Sequence, residues 1–245
     1  MMSRWTPALG ALAAATLLFG CQDLKPIKGK GRNAPGATAA VPRGSGSIGK
    51  SGTTGNKVKV AMYIMSKCPY GVQAVQGFTP ILKQIGDRID FQLSYIADKV
   101  PAGQMCRGRR PRPSYKGFCA LHGEPEVKGN IQQLCVMKHY PALSQWLPFV
   151  ECQNKTWRNI PNNWESCAKQ TNLDVNKLKG CIDGQEGLEL HAKSSQAAKN
   201  AKASGSPTIH VAGKPYRGGR GKSDFFRAIC QNLTGQKPAV CNNIP

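Results

Sequence analysis

Between residues 58 and 64 apolar side chains fall on alternate positions, Val58, Val60, Met62 and Ile64, with Lys59, Ala61, Tyr63 and Met65 interleaved. Period two marks a strand, and the apolar character of both faces places that strand inside a sheet covered on two sides. The period then changes. Val72, Val75, Phe78, Leu82 and Ile85 recur at intervals of three and four, one face of a helix ending near Gly86, with Pro80 inside it as an expected kink. Ile89, Phe91, Leu93 and Tyr95 alternate again as a second strand. Strand, helix and strand of these lengths predict a parallel pair joined by a crossover.

Beyond Gly123 the pattern is a series of short helices reaching Ala203, broken near Tyr140-Pro141, Ile160-Pro161 and Asp183-Gly184. Pro207 to Val211 reads as a brief strand and Lys214-Pro215-Tyr216 as another. Phe225, Phe226, Ile229 and Leu233 form the inner face of a last helix closed by Gly235. The fold class is therefore α/β, one folded domain over 57–245 with a helical insertion at about 122–203, and no internal repeat is visible.

The N-terminal segment is of another kind. Arg4 precedes an apolar run from Ala8 to Phe19, shorter than the roughly 20 residues that cross a bilayer, so residues 1–20 read as a signal peptide. Leu18-Phe19-Gly20-Cys21 resembles the bacterial lipobox, which implies lipidation of Cys21; simple secretion is the alternative. Gln22 at the next position lacks the aspartate that, by the same resemblance, retains a lipoprotein at the inner membrane. The expected location is the bacterial cell envelope, periplasm-facing and anchored to the outer membrane through the lipid. Residues 21–56 are rich in Gly, Ser, Pro, Ala and Lys with little to bury, and read as a flexible basic tether.

Ten cysteines in an exported chain point to disulfides. With Cys21 lipidated and Cys68 kept as a thiol, eight remain: Cys106, Cys119, Cys135, Cys152, Cys167, Cys181, Cys230 and Cys241. Parity allows four bridges and does not fix their connectivity. Cys230 with Cys241 is the first pair to expect from closeness along the chain. Cys106 and Cys119 bracket one loop and also suit each other. Cys152 with Cys167 and Cys135 with Cys181 fit across the helical insertion, with exchanged partners open. No Cys-x-x-Cys pair occurs and the four histidines are scattered, so no metal is expected. Met62 and Met65 near Cys68 would suit copper(I), yet they also fit strand core positions, which is the favoured reading.

A formal charge of +21 favours contact with anions. Arg107, Arg109, Arg110 and Arg112, with Lys116 following, lie in a stretch without acidic residues and form a possible anion site; a solvated loop is the simpler account. No nucleic-acid motif accompanies the charge, so nucleic acid is not an expected partner.

The candidate chemistry sits at Met65-Ser66-Lys67-Cys68-Pro69-Tyr70-Gly71, where a strand ends and a helix begins. Proline suits the first helical position because its missing N–H would find no partner there. The free N–H groups and dipole of the helix stabilise a thiolate, Lys67 adds a neighbouring positive charge, and a thiolate is the attacking species in disulfide exchange. Cys-Pro-Tyr opening a helix, with Ser206-Pro207-Thr208 opening a later strand, resembles the thioredoxin superfamily and its bacterial DsbA-like members. That resemblance implies a cis-proline at Pro207 beside the cysteine, with Ser206 and Pro207, and Pro69 and Tyr70 on the other side, lining the thiol. His122-Gly123, Glu126, Asn130 and Cys135, and the ending Ile229-Cys230-Gln231 and Thr234 to Cys241, resemble the gamma-interferon-inducible lysosomal thiol reductase family over Val58 to Cys241. The resemblance implies a thioredoxin-like fold with a helical insertion and thiol-disulfide oxidoreductase activity on proteins.

Three positions depart from that family. Gly71 replaces the second active-site cysteine, Val127 replaces the cysteine of the His-Gly signature, and Cys119 stands one residue further from His122 than the pattern asks. What remains is monothiol chemistry: Cys68 exchanging with protein or small-thiol disulfides, with an external thiol as resolving partner and no cofactor. The opposing expectation is a catalytically inactive thioredoxin-fold binding module of the envelope.

Overall fold

The computed structural model describes residues 55–108 and 111–244. The signal peptide, Cys21 and its lipid, nearly all of the tether, and Arg109 and Arg110 lie outside the described residues. In chain order the elements are β1 (Val58–Ile64), α1 (Pro69–Ile85), β2 (Ile89–Tyr95), the short strands β3 (Asp98–Lys99), β4 (Met105–Cys106), β5 (Arg112–Pro113) and β6 (Phe118–Cys119), helices α2 (Glu124–His139), α3 (Leu143–Lys155), α4 (Trp164–Gln170), α5 (Val175–Asp183) and α6 (Gln185–Asn200), then β7 (Thr208–Val211), β8 (Lys214–Pro215) and α7 (Lys222–Asn232).

The main sheet has the order β2-β1-β7-β8. β1 runs parallel to β2, in register from Val58 against Ile89 to Ile64 against Tyr95, and α1 makes the crossover. β7 is antiparallel to β1 and turns back into β8. As a central strand β1 is covered on both faces. Val58, Val60, Met62 and Ile64 enter the large core with Phe78, Phe149, Phe225 and Phe226, whereas Tyr63 and Met65 enter a smaller cluster with Cys68 and Ile96. The two methionines are thus packing residues. Helix α1 runs unbroken through Pro80.

The insertion has one break more than its prolines and glycines predict. α4 ends at Thr171, Asn172 takes a left-handed φ of +57°, and Asp174 caps α5 by accepting from the backbone N–H groups of Asn176 and Lys177. Its interior carries a polar seam: Gln133 Nε2 donates to Gln153 Oε1 at 3.0 Å, and Gln153 Nε2 donates in turn to Gln132 Oε1 and Asn163 Oδ1. Satisfied amides of this kind can be buried without penalty and fix how the helices pack. Four disulfides tie the described chain: Cys106–Cys119 closes the β4–β6 loop, Cys135–Cys181 joins α2 to α5, Cys152–Cys167 joins α3 to α4, and Cys230–Cys241 holds the C-terminal turn to α7. Among the described residues no helix is long and apolar enough to cross a membrane.

Candidate active site

β1 ends at Ile64, and the next three residues turn so that Cys68 becomes the N-cap of α1 with Pro69 in the first helical turn. The turn closes with Cys68 N donating to Met65 O at 3.0 Å, and the helix starts with Val72 N donating to Cys68 O at 3.0 Å. No acidic residue occupies the first turn of α1, so nothing of this helix competes for its positive end. The Ser206–Pro207 peptide is cis. Ser206 meets the cysteine loop twice: its Oγ accepts from Met65 N at 2.9 Å, and its carbonyl accepts from Cys68 Sγ at 3.6 Å. Cys68, Pro69, Ser206 and Pro207 thus converge on one spot from two elements distant in sequence.

Cys68 is fully buried, 0% exposed, in a cluster with Tyr63, Met65, Ile96 and Ala198, on which Tyr70, Leu121, Ala197, Ala201 and Ala203 pack. The thiol is therefore set in apolar surroundings between the end of α6 and the start of α1.

Gly71 is part of the same packing. A Cβ added there would lie 2.6 Å from Ser206 Oγ and 3.2 Å from both Ile64 Cβ and Met65 O. A second motif cysteine therefore displaces the Ser206 hydroxyl from Met65 N. We expect Gly71→Cys to cost about 1–3 kcal/mol, the range for a buried donor left without its partner. Adding Ser206→Ala should then cost little more, since the same bond is lost in both. Urea unfolding of the two single variants and the double variant measures this coupling; strictly additive losses would show that the hydroxyl and the new side chain do not compete.

Lys67 precedes the thiol, but its ammonium is drawn elsewhere. Nζ donates to the carbonyls of Arg158, at 2.8 Å, and Ile160. Burial lowers its pKa, and the Glu126 carboxylate partly opposes that shift. The expected charge beside the sulfur is thus a strut between the active-site turn and the loop entering α4.

The residues that hold this turn come from α2. Glu126 is 0% exposed; its carboxylate accepts from His122 Nδ1 at 2.5 Å, from His122 N at 3.2 Å and from Lys67 N at 3.3 Å. One turn further, Asn130 Oδ1 accepts from Ser66 N at 3.1 Å, and its Nδ2 faces His191 Nε2 at 3.2 Å. Ser66 Oγ donates to the Glu126 carbonyl. Gly129 permits this approach, because a Cβ there would come within 2.2 Å of Ile160 Cγ2 and 2.8 Å of Ser66 Oγ. The His-Gly signature, for which the residues alone suggested no role, is a clamp on the 65–67 turn. Ser66, Glu126, Asn130 and His191 were not singled out as site residues by their chemistry. The available signal was their spacing: Glu126 and Asn130 put two polar residues on one stripe of α2, whose neighbours Val127 and Ile131 are core, and His122 stands just ahead of that helix.

Arg107 and Arg112 are exposed, and Arg112 lies against Gly123 at the start of α2. His139, Cys181 and Glu186 approach one another within 4.8 Å, but the Cys181 sulfur is committed to Cys135.

The sequence pattern of the family described as gamma interferon inducible lysosomal thiol reductase matches residues 59–171, which include Cys68 and the whole clamp. A gamma-interferon-responsive lysosomal thiol protein of Arabidopsis thaliana is 26% identical over 200 residues, 80% of this chain and 78% of the relative. The fold is similar to that of the reduced disulfide oxidoreductase DsbG of Mycobacterium tuberculosis, with a TM-score of 0.51 at 16% identity over 81% of this chain and 88% of that one. It is also similar to MdbA, a thiol-disulfide oxidoreductase of Actinomyces oris, with a TM-score of 0.53 at 12% identity over 75% and 84%. The chain resembles the thiol reductase family, its fold is thioredoxin-like, and it is thiol-oxidoreductase-like in kind.

Proposed function

We propose that this is an exported protein that exchanges disulfides through the single motif thiol of Cys68, on protein or small-thiol disulfides. The observation that carries the reading is the meeting of Cys68, at the start of α1, with the carbonyl that precedes cis-Pro207. In the first step the Cys68 thiolate attacks one substrate sulfur, a Cys68–substrate disulfide forms, the substrate S–S bond breaks, and the leaving thiolate takes a proton from water. Gly71 offers no sulfur to attack the mixed disulfide, so an external thiol does so, releasing Cys68 and carrying away the substrate sulfur. The net change is exchange of partners, with no electrons retained by the motif.

Export is supported by four disulfides in the described chain, which persist in oxidising compartments. The signal peptide and a lipid on Cys21 at the outer membrane are part of the same proposal; metabolic labelling with a palmitate analogue and its loss in Cys21→Ala test them.

The complete burial of Cys68 favours a second reading, a binding module in which the sulfur only packs. Exchange requires side chains of the surrounding cluster to part and admit a disulfide. Alkylation of the folded, disulfide-intact protein between pH 5 and 9, read by mass spectrometry at Cys68, separates the two. We expect Cys68 to label at neutral pH at least as fast as a cysteine in an unstructured peptide. Labelling only under denaturing conditions would sink the exchange reading and leave the binding module.

A further inference from the structure

Helix α1 carries a second functional group near its start, supplied by the chain just before α7. The Arg220 carbonyl sits against Gly77, where an added Cβ would come within 2.2 Å of it. From that anchored backbone the side chain runs back along α1: Nε donates to Gln73 Oε1 at 2.9 Å, and the guanidinium lies 4.9 Å from the centre of the Tyr70 ring. Residues 70, 73 and 77 share one face of the helix. The guanidinium thus lies over the first turn of the helix that Cys68 caps, on the side of Tyr70.

Among the described residues one of its N–H groups, Nε–H, is used, and the two Nη atoms have no hydrogen-bond or ion-pair partner. The acid of its own segment is turned away: Asp224 Oδ2 accepts from Gly221 N, and Oδ1 lies 3.8 Å from Arg227. A stacked guanidinium pinned through Nε presents a planar fork, the geometry that matches a carboxylate in two parallel hydrogen bonds. Gly77, Gln73 and Tyr70 have already fixed the rotamer, so little side-chain freedom is left to lose on binding.

We propose that Arg220 forms a carboxylate-binding subsite of the Cys68 centre, selecting disulfides that carry a carboxylate near the sulfur. The inference rests on the exchange reading and deepens it: the substrate class becomes acidic disulfides, whether of a small thiol acid or of an acidic residue beside a client cysteine.

Two aromatic disulfides test it on the folded protein with its own disulfides intact. 5,5′-Dithiobis(2-nitrobenzoate) carries a carboxylate on each ring, and 4,4′-dithiodipyridine carries none. We expect Arg220→Gln to lower the ratio of the anionic to the neutral rate about fivefold, the scale of one charge-assisted contact at a partly exposed site. Arg220→Lys should give an intermediate ratio. Arg217→Gln removes the same charge from an exposed position on the same segment, and its ratio should stay that of the parent. A ratio in Arg220→Gln no lower than in Arg217→Gln overturns the subsite. Thiol release that persists in Cys68→Ala instead overturns the exchange reading. A footprint on Cys68→Ala judges the subsite without any exchange: benzoate should slow phenylglyoxal modification of Arg220, and unslowed modification counts against it.

Discussion

Asn130→Ala should lower the unfolding free energy by about 4 kcal/mol, from two buried polar groups left without partners at roughly 1–3 kcal/mol each together with the cavity. Asn130 is 0% exposed and links Ser66 N, on the active-site turn, to His191 Nε2, in the middle of α6. The site is closed to bulk water in the parent, so the full cost of two unpartnered groups is expected. Asn130→Asp keeps both contacts in changed form. A carboxylate oxygen still accepts from Ser66 N, and the His191 ring can carry its proton on Nε2 and donate to the other oxygen, so this variant should lose less than the alanine variant at neutral pH. Urea unfolding of the three proteins gives the comparison. A loss under about 1 kcal/mol for the alanine variant would mean that the Asn130 contacts are redundant with those of Glu126 to His122 and Lys67.

The parts of this molecule that were legible in the sequence are those in which one physical demand dominates. β1, α1 and β2 obey their apolar periods because a central strand and its crossover bury whole faces, and the parallel register from Val58 to Ile64 follows. The position of Cys68 was legible for a similar reason, since strand, cysteine and proline leave the backbone little choice. The direction of Lys67 was not. A lysine beside a cysteine in sequence has four rotatable bonds, and the carbonyls that capture it belong to residues 158 and 160, brought near only by the packing of the insertion. The clamp was hidden because its members look ordinary singly: a buried Glu126 or Asn130 becomes intelligible only once α2 is known to lie against Ser66, which Gly129 allows.

The same geometry explains why the insertion and the thioredoxin-like core act as one unit. The active-site turn donates its backbone to three places, Met65 N to Ser206, Ser66 N to Asn130 and Lys67 N to Glu126. The first lies next to cis-Pro207 and the other two on α2. A turn of only three residues is thus held from both sides, which orients the sulfur without requiring a second cysteine. The Cys135–Cys181 bridge, leaving the same helix one turn beyond the clamp, fixes α2 to α5.

Acid should weaken the fold through His191. This ring is 0% exposed, packs edge-on to Phe118 with 4.5 Å between centroids, and has no hydrogen-bond partner for Nδ1. Because Asn130 gives its oxygen to Ser66 N, its amide nitrogen faces Nε2, so the ring must accept there and carry its proton on Nδ1. Burial accordingly lowers the His191 pKa from 6.5 to about 4. The unfolded chain then binds a proton between these values that the folded chain refuses, so the neutral ring's contribution is fully present above pH 6.5 and is lost as the pH falls through 4. Between pH 7 and pH 4 the loss should reach about 3 kcal/mol. His191→Gln removes the titration while keeping a polar group, and although less stable at pH 7 it should show a pH dependence shallower by that amount. Groups common to both proteins cancel in the difference. Equal slopes for parent and variant would show that the ring finds a partner for its second proton on opening locally. A shallower slope would establish that the residue behind the active-site turn must stay neutral for the turn to hold.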